Sequence, residues 1–297
     1  MPAFNPKAVA LSHVTMGAPD PAATVAHYRD VLGLHVTDAQ DGATYLSLSG
    51  AHHEIVIQKA DDKTFVHQGY QLRPDVDLDG FAAELKAHGL APELKSDSQP
   101  GMARLLEVAA PGGVVFQFFH EMETGVPPKS MSGISPLRLG HIAILSPEAP
   151  KLVDFYRDVL GFHYTDDIGG LAYFLTCNRD HHVVNVVGIP ESRIHHIAFE
   201  LRDGSDHVRA ADLLSRADCP TIWGPSRHGA GHNLAGYHYD PDRVMIEFYT
   251  QMDVYLPALG YHEPRPWHDE FPMKPKSWPL EAMTIWNTDY GFNLAMA

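Results

Sequence analysis

Short runs with period-two alternation of apolar and polar residues recur along the chain, separated by turns rich in Pro, Gly and Asp. Val244, Ile246 and Phe248 alternate with Met245, Glu247 and Tyr249. That is the period of a strand, and it places Glu247 on the face opposite the first three. The runs GHIAIL (140–145) and IHHIAFEL (194–201) are rich in Ile, Leu and Phe and read as strands too. Tyr237–Arg243, with Asp240-Pro241-Asp242 inside it, reads as the turn that feeds the Glu247 strand.

The pattern then repeats. LSHVTMGAPDPAATVAHYRDVLGL (11–34) parallels LGHIAILSPEAPKLVDFYRDVLGF (139–162), and His13 precedes Tyr28 by the same fifteen residues that separate His141 from Tyr156. Each copy predicts a strand carrying His and then an amphipathic helix through YRDVLG. In the second copy Ser146-Pro147-Glu148 suits the helix start and Gly161 the stop. VHQGYQLR (66–73) parallels HHIAFELR (195–202), which sets His67 against His196. Helices near Leu78–His88 and Ser205–Ala217 follow, and PGGVVFQFF (111–119) then parallels PDRVMIEFY (241–249), setting Gln117 against Glu247. The reading is an α+β fold of two tandem domains, each of two β-α-β-β-β units.

The expected boundaries are 1–125 for the first domain, 126–138 for a linker, 139–255 for the second domain and 256–297 for a tail. The linker expectation rests on scattered Pro, Gly and Ser. The tail holds several prolines with Trp267, Trp278 and Trp286. So much aromatic surface is expected to wrap the domain, cover a site or pack on another subunit, and the last option points to a homo-oligomer.

Composition narrows the function. With 22 basic and 37 acidic residues in 297, the formal charge of −15 argues against nucleic-acid and anionic-membrane partners. The N-terminus has no basic segment followed by a long apolar core, and no apolar run reaches about 18 residues, so neither a signal peptide nor a membrane span is expected. Cys177 and Cys219 are the only cysteines, which argues against a disulfide framework and fits a cytoplasmic enzyme. Most of the twenty histidines are expected at the surface.

Three polar residues stand out. A carboxylate flanked by apolar residues on its own strand face needs a partner if it is buried. His141 and His196, on two other predicted strands, can join Glu247. Two neutral imidazoles and one carboxylate make a facial triad with open positions, the ligand set of non-haem Fe(II). The first copy offers His13, His67 and Gln117 instead. An amide supplies no charge, so that half is expected to be vestigial or structural.

Over residues 8–255 the chain resembles type I extradiol ring-cleavage dioxygenases of the catechol 2,3-dioxygenase kind, within the vicinal oxygen chelate superfamily. The residues that carry the resemblance are His228, seven residues, Gly236, Tyr237, two residues, Asp240, Pro241 and then Glu247, with CNRDHH (177–182) upstream. His182 lies fourteen residues before His196. Gly236 and Arg243 depart from the pattern, which has an aliphatic residue and Gly or Pro there.

The resemblance implies the glyoxalase/bleomycin-resistance/dihydroxybiphenyl dioxygenase fold. It implies Fe(II), with Mn(II) as a possible replacement, on His141, His196 and Glu247. His182 would be the acid–base group, and His228 and Tyr237 would hydrogen-bond the substrate oxygens. The substrates would be a catechol and O2, and the product of the 2-hydroxymuconic semialdehyde type. From the residues themselves, Phe174, Trp223 and the tail aromatics either shape an apolar pocket or pack in the core, His195 either lines the pocket or is structural, and no Arg or Lys demands a carboxylated ring. His181 is expected on the other strand face, and His232 and His238 at exposed turns. The alternatives are a glyoxalase-like metalloenzyme of the same fold and a protein that sequesters small aromatics.

Overall fold

The structure is a computed structural model that describes residues 4–126 and 132–291. Residues 127–131 of the expected linker and 292–297 of the expected tail lie outside the described residues.

The first half contains β1 (Ala8–Ala18), α1 (Pro21–Ala26), β2 (His35–Gln40), β3 (Ala43–Ser47) and β4 (Ile55–Lys59). It continues with β5 (Thr64–Leu72), α2 (Leu78–Ala87), β6 (Glu93–Gln99), β7 (Met102–Ala109) and β8 (Val115–Phe119). The second half repeats the series with β9 (Arg138–Ser146), α3 (Ala149–Asp154), β10 (His163–Ile168), β11 (Ala172–Thr176) and β12 (Val184–Gly188). Its last unit is β13 (Arg193–Glu200), α4 (Gly204–Arg216), β14 (Trp223–Arg227), β15 (Leu234–Tyr239) and β16 (Met245–Thr250). These are the four β-α-β-β-β units of the sequence pattern.

Each half folds into one mixed sheet. The orders are β2-β3-β4-β1-β5-β8-β7-β6 and β14-β15-β16-β13-β9-β12-β11-β10, so the two units of a half join through the antiparallel pair β1·β5 or β9·β13. Period-two alternation does the rest in the second sheet. Ile142, Ile197 and Ile246 are fully buried in a core that also takes in the first half. Their neighbours His141, His196 and Glu247 therefore project from the opposite face. The core crosses between halves at Tyr156, whose hydroxyl accepts a 2.7 Å hydrogen bond from Gln68 Nε2.

Two local readings are corrected. The YRDV segments do not complete α-helices; α1 and α3 are short and continue as π-turns at His27–Val31 and Phe155–Val159. Gly33 and Gly161 then take φ of +88° and +72°, conformations that Gly adopts freely. Ser146 does not cap α3. Its hydroxyl accepts from the Glu148 N–H at 3.2 Å, and Glu148 is the N-cap residue.

The tail wraps the second sheet. Ser277–Trp278 pairs in parallel with β10, and Trp278 packs with Ile168, Phe174, Ala230 and Met273. Among the described residues no helix is long and apolar enough to cross a membrane.

Candidate active site

Glu247 on β16, His196 on β13 and His141 on β9 come from three adjacent strands of the second sheet. Glu247 Oε2 lies 3.1 Å from His196 Nε2 and 3.3 Å from His141 Nε2, and the two imidazole nitrogens are 3.3 Å apart. Glu247 and His141 are each 1% exposed. Burial pushes the Glu247 carboxyl up, but His141 and His196 outweigh it and hold the group well below the usual carboxylate range. Burial lowers His141 despite the neighbouring carboxylate, which favours the neutral imidazole a metal requires.

The donor set fits a divalent metal. Atoms held cis at about 2.1 Å on an octahedral ion lie about 3 Å apart, the spacing these three already have. No Lys or Arg among the described residues lines the cavity to neutralise Glu247. Gly140, next to His141, admits the Tyr249 ring; a Cβ there would lie 2.0 Å from the Tyr249 hydroxyl.

The triad stands at one end of a cavity of about 340 Å³. His182, His195, His228, Asn233 and Tyr237 gather at the polar end. Ile168, Leu171, Phe174, Val187, Ile189 and the tail residues Leu280 and Met283 make the apolar walls. Tyr237 donates to Glu247 Oε2 at 2.8 Å, and His228 Nε2 lies 2.9 Å from the same hydroxyl. Burial, then Glu247, raises the Tyr237 phenol well above its ordinary value, so it stays a donor. Burial lowers His228, whose Nδ1–H donates to the Met283 carbonyl of the tail at 2.8 Å.

One family model spans most of this architecture. Residues 10–118 and 138–248 match the Glyoxalase/Bleomycin resistance protein/Dioxygenase superfamily. The chain belongs to this superfamily. A metapyrocatechase from Pseudomonas sp. (strain CF600) is 28% identical over 250 residues, covering 77% of this chain and 81% of the relative. A manganese-dependent 2,3-dihydroxybiphenyl 1,2-dioxygenase from Geobacillus genomosp. 3 is 25% identical over 254 residues, covering 77% and 80%. Homoprotocatechuate 2,3-dioxygenase from Brevibacterium fuscum, solved with 3,4-dihydroxyphenylacetate, superposes with a TM-score of 0.83 at 24% identity over 100% of this chain and 94% of that one.

Within this superfamily fold, all six site residues expected from sequence meet around one cavity. Tyr237 lies within β15, directly opposite Glu247 in the ladder, rather than in a turn. The turn is Asp240–Val244, and Arg243 there has φ +60°, the left-handed conformation in which Gly is at ease. Phe174 lines the cavity. Trp223 does not; it stacks on His228 with ring centroids 5.0 Å apart and steadies that imidazole from behind.

Other expectations are overturned. His232 and His238 are buried rather than turn-exposed. His232 Nδ1 meets Asp253 Oδ2 at 2.7 Å, and His238 Nε2 meets His27 Nε2 at 3.2 Å. His181 and His182 precede β12, so strand alternation does not part them; their Nδ1 atoms are 2.9 Å apart. At least thirteen of the twenty histidines are buried, not most at the surface.

Sequence reasoning missed Asn233, whose side-chain amide donates to Glu247 Oε1 at 2.7 Å and fixes the second carboxylate oxygen. It also missed Tyr290, which lies against Tyr237 from the tail. His53 packs on His13 in the first half as His182 packs on His141, with centroids 4.9 and 4.3 Å apart. The repeat itself could have revealed His53. In the first half His13 Nε2 meets Gln117 Oε1 at 3.0 Å, but His67 Nε2 is held by Thr15 at 2.7 Å and the Gln117 amide donates to Glu107 at 3.0 Å.

Proposed function

We propose that this chain is an extradiol dioxygenase that opens a catecholic ring with O2 and releases a 2-hydroxymuconic semialdehyde-type product. The observation that carries this reading is the meeting of His141, His196 and Glu247 with His182 in a cavity that Ile168, Leu171, Phe174, Val187 and Ile189 also line. The two relatives above, a metapyrocatechase and a 2,3-dihydroxybiphenyl 1,2-dioxygenase, support it.

His141, His196 and Glu247 would hold Fe(II), with Mn(II) suited to the same donors. A metal held there would bind the catechol oxygens and O2 and would lower the pKa of the hydroxyls. His182 would take a proton from substrate and return it to an oxygen atom. Burial, reinforced by His141 and His181, lowers the His182 pKa well below the ordinary imidazole value, so the ring starts neutral. Tyr237 can donate to oxygen at little reorganisation cost, and His228, whose Nε2 lies 2.9 Å from the Tyr237 hydroxyl, orients that hydroxyl. Both atoms of O2 remain in the product.

The apolar walls select the ring. With Ile168, Leu171, Phe174, Val187 and Ile189 around it, an uncharged alkyl or aryl substituent is accommodated, while a carboxylate finds no cationic partner. Anaerobic loading with Fe(II), then oxygen uptake with catechol, 3-methylcatechol, 2,3-dihydroxybiphenyl and 3,4-dihydroxyphenylacetate, tests the reading. One O2 per ring and slow turnover of the carboxylated ring are expected. A metal-loaded protein that consumes no O2 with any of the four would overturn it.

A further inference from the structure

Beneath the cavity a line of buried polar groups leads away from His182. His182 Nδ1 lies 2.9 Å from His181 Nδ1, and His181 Nε2 lies 2.9 Å from Asp166 Oδ2. Asp166 is 2% exposed and His181 is fully buried. The other partners of the carboxylate are both donors: the Lys276 backbone N–H to Oδ1 and the Trp278 indole N–H to Oδ2, each at 2.7 Å. Asp166 reaches this position through a register shift between Tyr164 and Asp166 in the β10·β11 ladder, a bulge that re-aims the side chain.

Donor and acceptor roles along this line follow from chemistry. An ionised carboxylate only accepts, so His181 donates through Nε2. An uncharged imidazole has one ring proton, so His181 Nδ1 is an acceptor. His182 must then donate through Nδ1. Its Nε2 is left without a proton and makes no hydrogen bond among the described residues, on a ring that lines the cavity.

We propose that Asp166 and His181 are positioning residues that hold His182 as the tautomer whose Nε2 faces the cavity unprotonated, ready to take the substrate's proton. The proposal rests on the dioxygenase reading for what His182 does, but the tautomer itself follows from the hydrogen bonds alone.

The first half supplies an internal comparison. Asp38, His52 and His53 occupy the corresponding places, again with a register shift just before the Asp, and the His52 and His53 Nδ1 atoms are 3.0 Å apart. There the arrangement is broken at both ends. Asp38 Oδ2 is 3.9 Å from His52 and partly exposed, and His53 Nε2 is occupied by the Gln99 amide at 2.8 Å. A tight carboxylate at one end and a free Nε2 at the other occur together in the half that carries the triad.

The test uses the full chain at pH 8, above the ordinary imidazole pKa of about 6.5. In metal-free protein labelled with 15N-histidine, the His182 signals are assigned by their loss in His182→Gln. Nitrogen shifts are expected to show a protonated Nδ1 and an unprotonated Nε2, and Asp166→Asn is expected to populate the opposite tautomer. In Fe(II)-loaded protein, Asp166→Asn should lower kcat by roughly tenfold or more, with KM within about twofold and metal content unchanged. A wild-type His182 protonated at Nε2, or an Asp166→Asn protein with the wild-type tautomer and kcat, overturns the proposal. If the variant does not fold, the wild-type spectrum decides. If the tautomer is as expected but no catechol is cleaved, the functional reading fails and the assignment of Asp166 and His181 stands.

Discussion

Tyr237 and Glu247 face one another across β15 and β16, and the Tyr237 hydroxyl donates to Glu247 Oε2 at 2.8 Å. The phenol thus touches the triad's carboxylate while it borders the cavity. Replacing it by Phe removes one donor and leaves the packing nearly unchanged. Tyr237→Phe is expected to keep its metal and to lose about tenfold to a hundredfold in kcat, the value of one hydrogen bond to a charged group. Metal analysis beside steady-state kinetics checks this; an unchanged kcat would remove Tyr237 from the chemistry.

Metal stoichiometry separates the two halves. Glu247→Gln turns the second site into the donor set of the first. Bound metal is expected to fall from one per chain by roughly tenfold or more under limiting metal. His67→Ala and Gln117→Ala should leave it unchanged, because those side chains are already held by Thr15 and Glu107. Elemental analysis after gel filtration reads both outcomes.

The turn after β15 gives a pH signature. Burial, with Asp242 nearby, raises the Asp240 carboxyl to about 7. In the unfolded chain it titrates near 3.9. Between those values the folded protein holds a proton that the unfolded chain does not, so stability falls as pH rises through this window and is flat above it. Asp240→Asn keeps an acceptor for the Val244 N–H and removes the titration. Relative to wild type, the variant should gain about 2 kcal/mol between pH 5 and pH 7. Urea midpoints at the two pH values measure this, and parallel curves would contradict it.

The tail closes the apolar end of the cavity through Leu280 and Met283. The double variant Leu280→Ala with Met283→Ala should raise KM for 2,3-dihydroxybiphenyl about tenfold and KM for catechol much less, since only the larger ring reaches those walls. Equal effects on both substrates would place the tail's contribution in folding instead.

Much of this was legible in the chain because strand alternation is local. His141, His196 and Glu247 sit beside Ile142, Ile197 and Ile246, whose burial decides the face. The internal repeat carried the fold. What escaped depended on breaks in periodicity or on remote partners. Asp166 follows a bulge that disrupts period two, and Asn233 lies in the loop before β15. Tyr290 lies in a tail without repeat. His232 and His238 read as turn residues because Asp253, His268 and His27, which enclose them, lie outside the motif. The π-turns at His27–Val31 and Phe155–Val159 leave no mark on a pattern that an α-helix would share.

The most direct measurement is mass analysis of the product formed from 3-methylcatechol by Fe(II)-loaded protein under 18O2. The account predicts a yellow ring-opened product carrying both labelled oxygen atoms, formed by wild type and lost in Glu247→Gln. A colourless dicarboxylic product would show cleavage between the hydroxyls, and an unlabelled or unopened ring would show that the triad does not run oxygen chemistry; either would contradict the account.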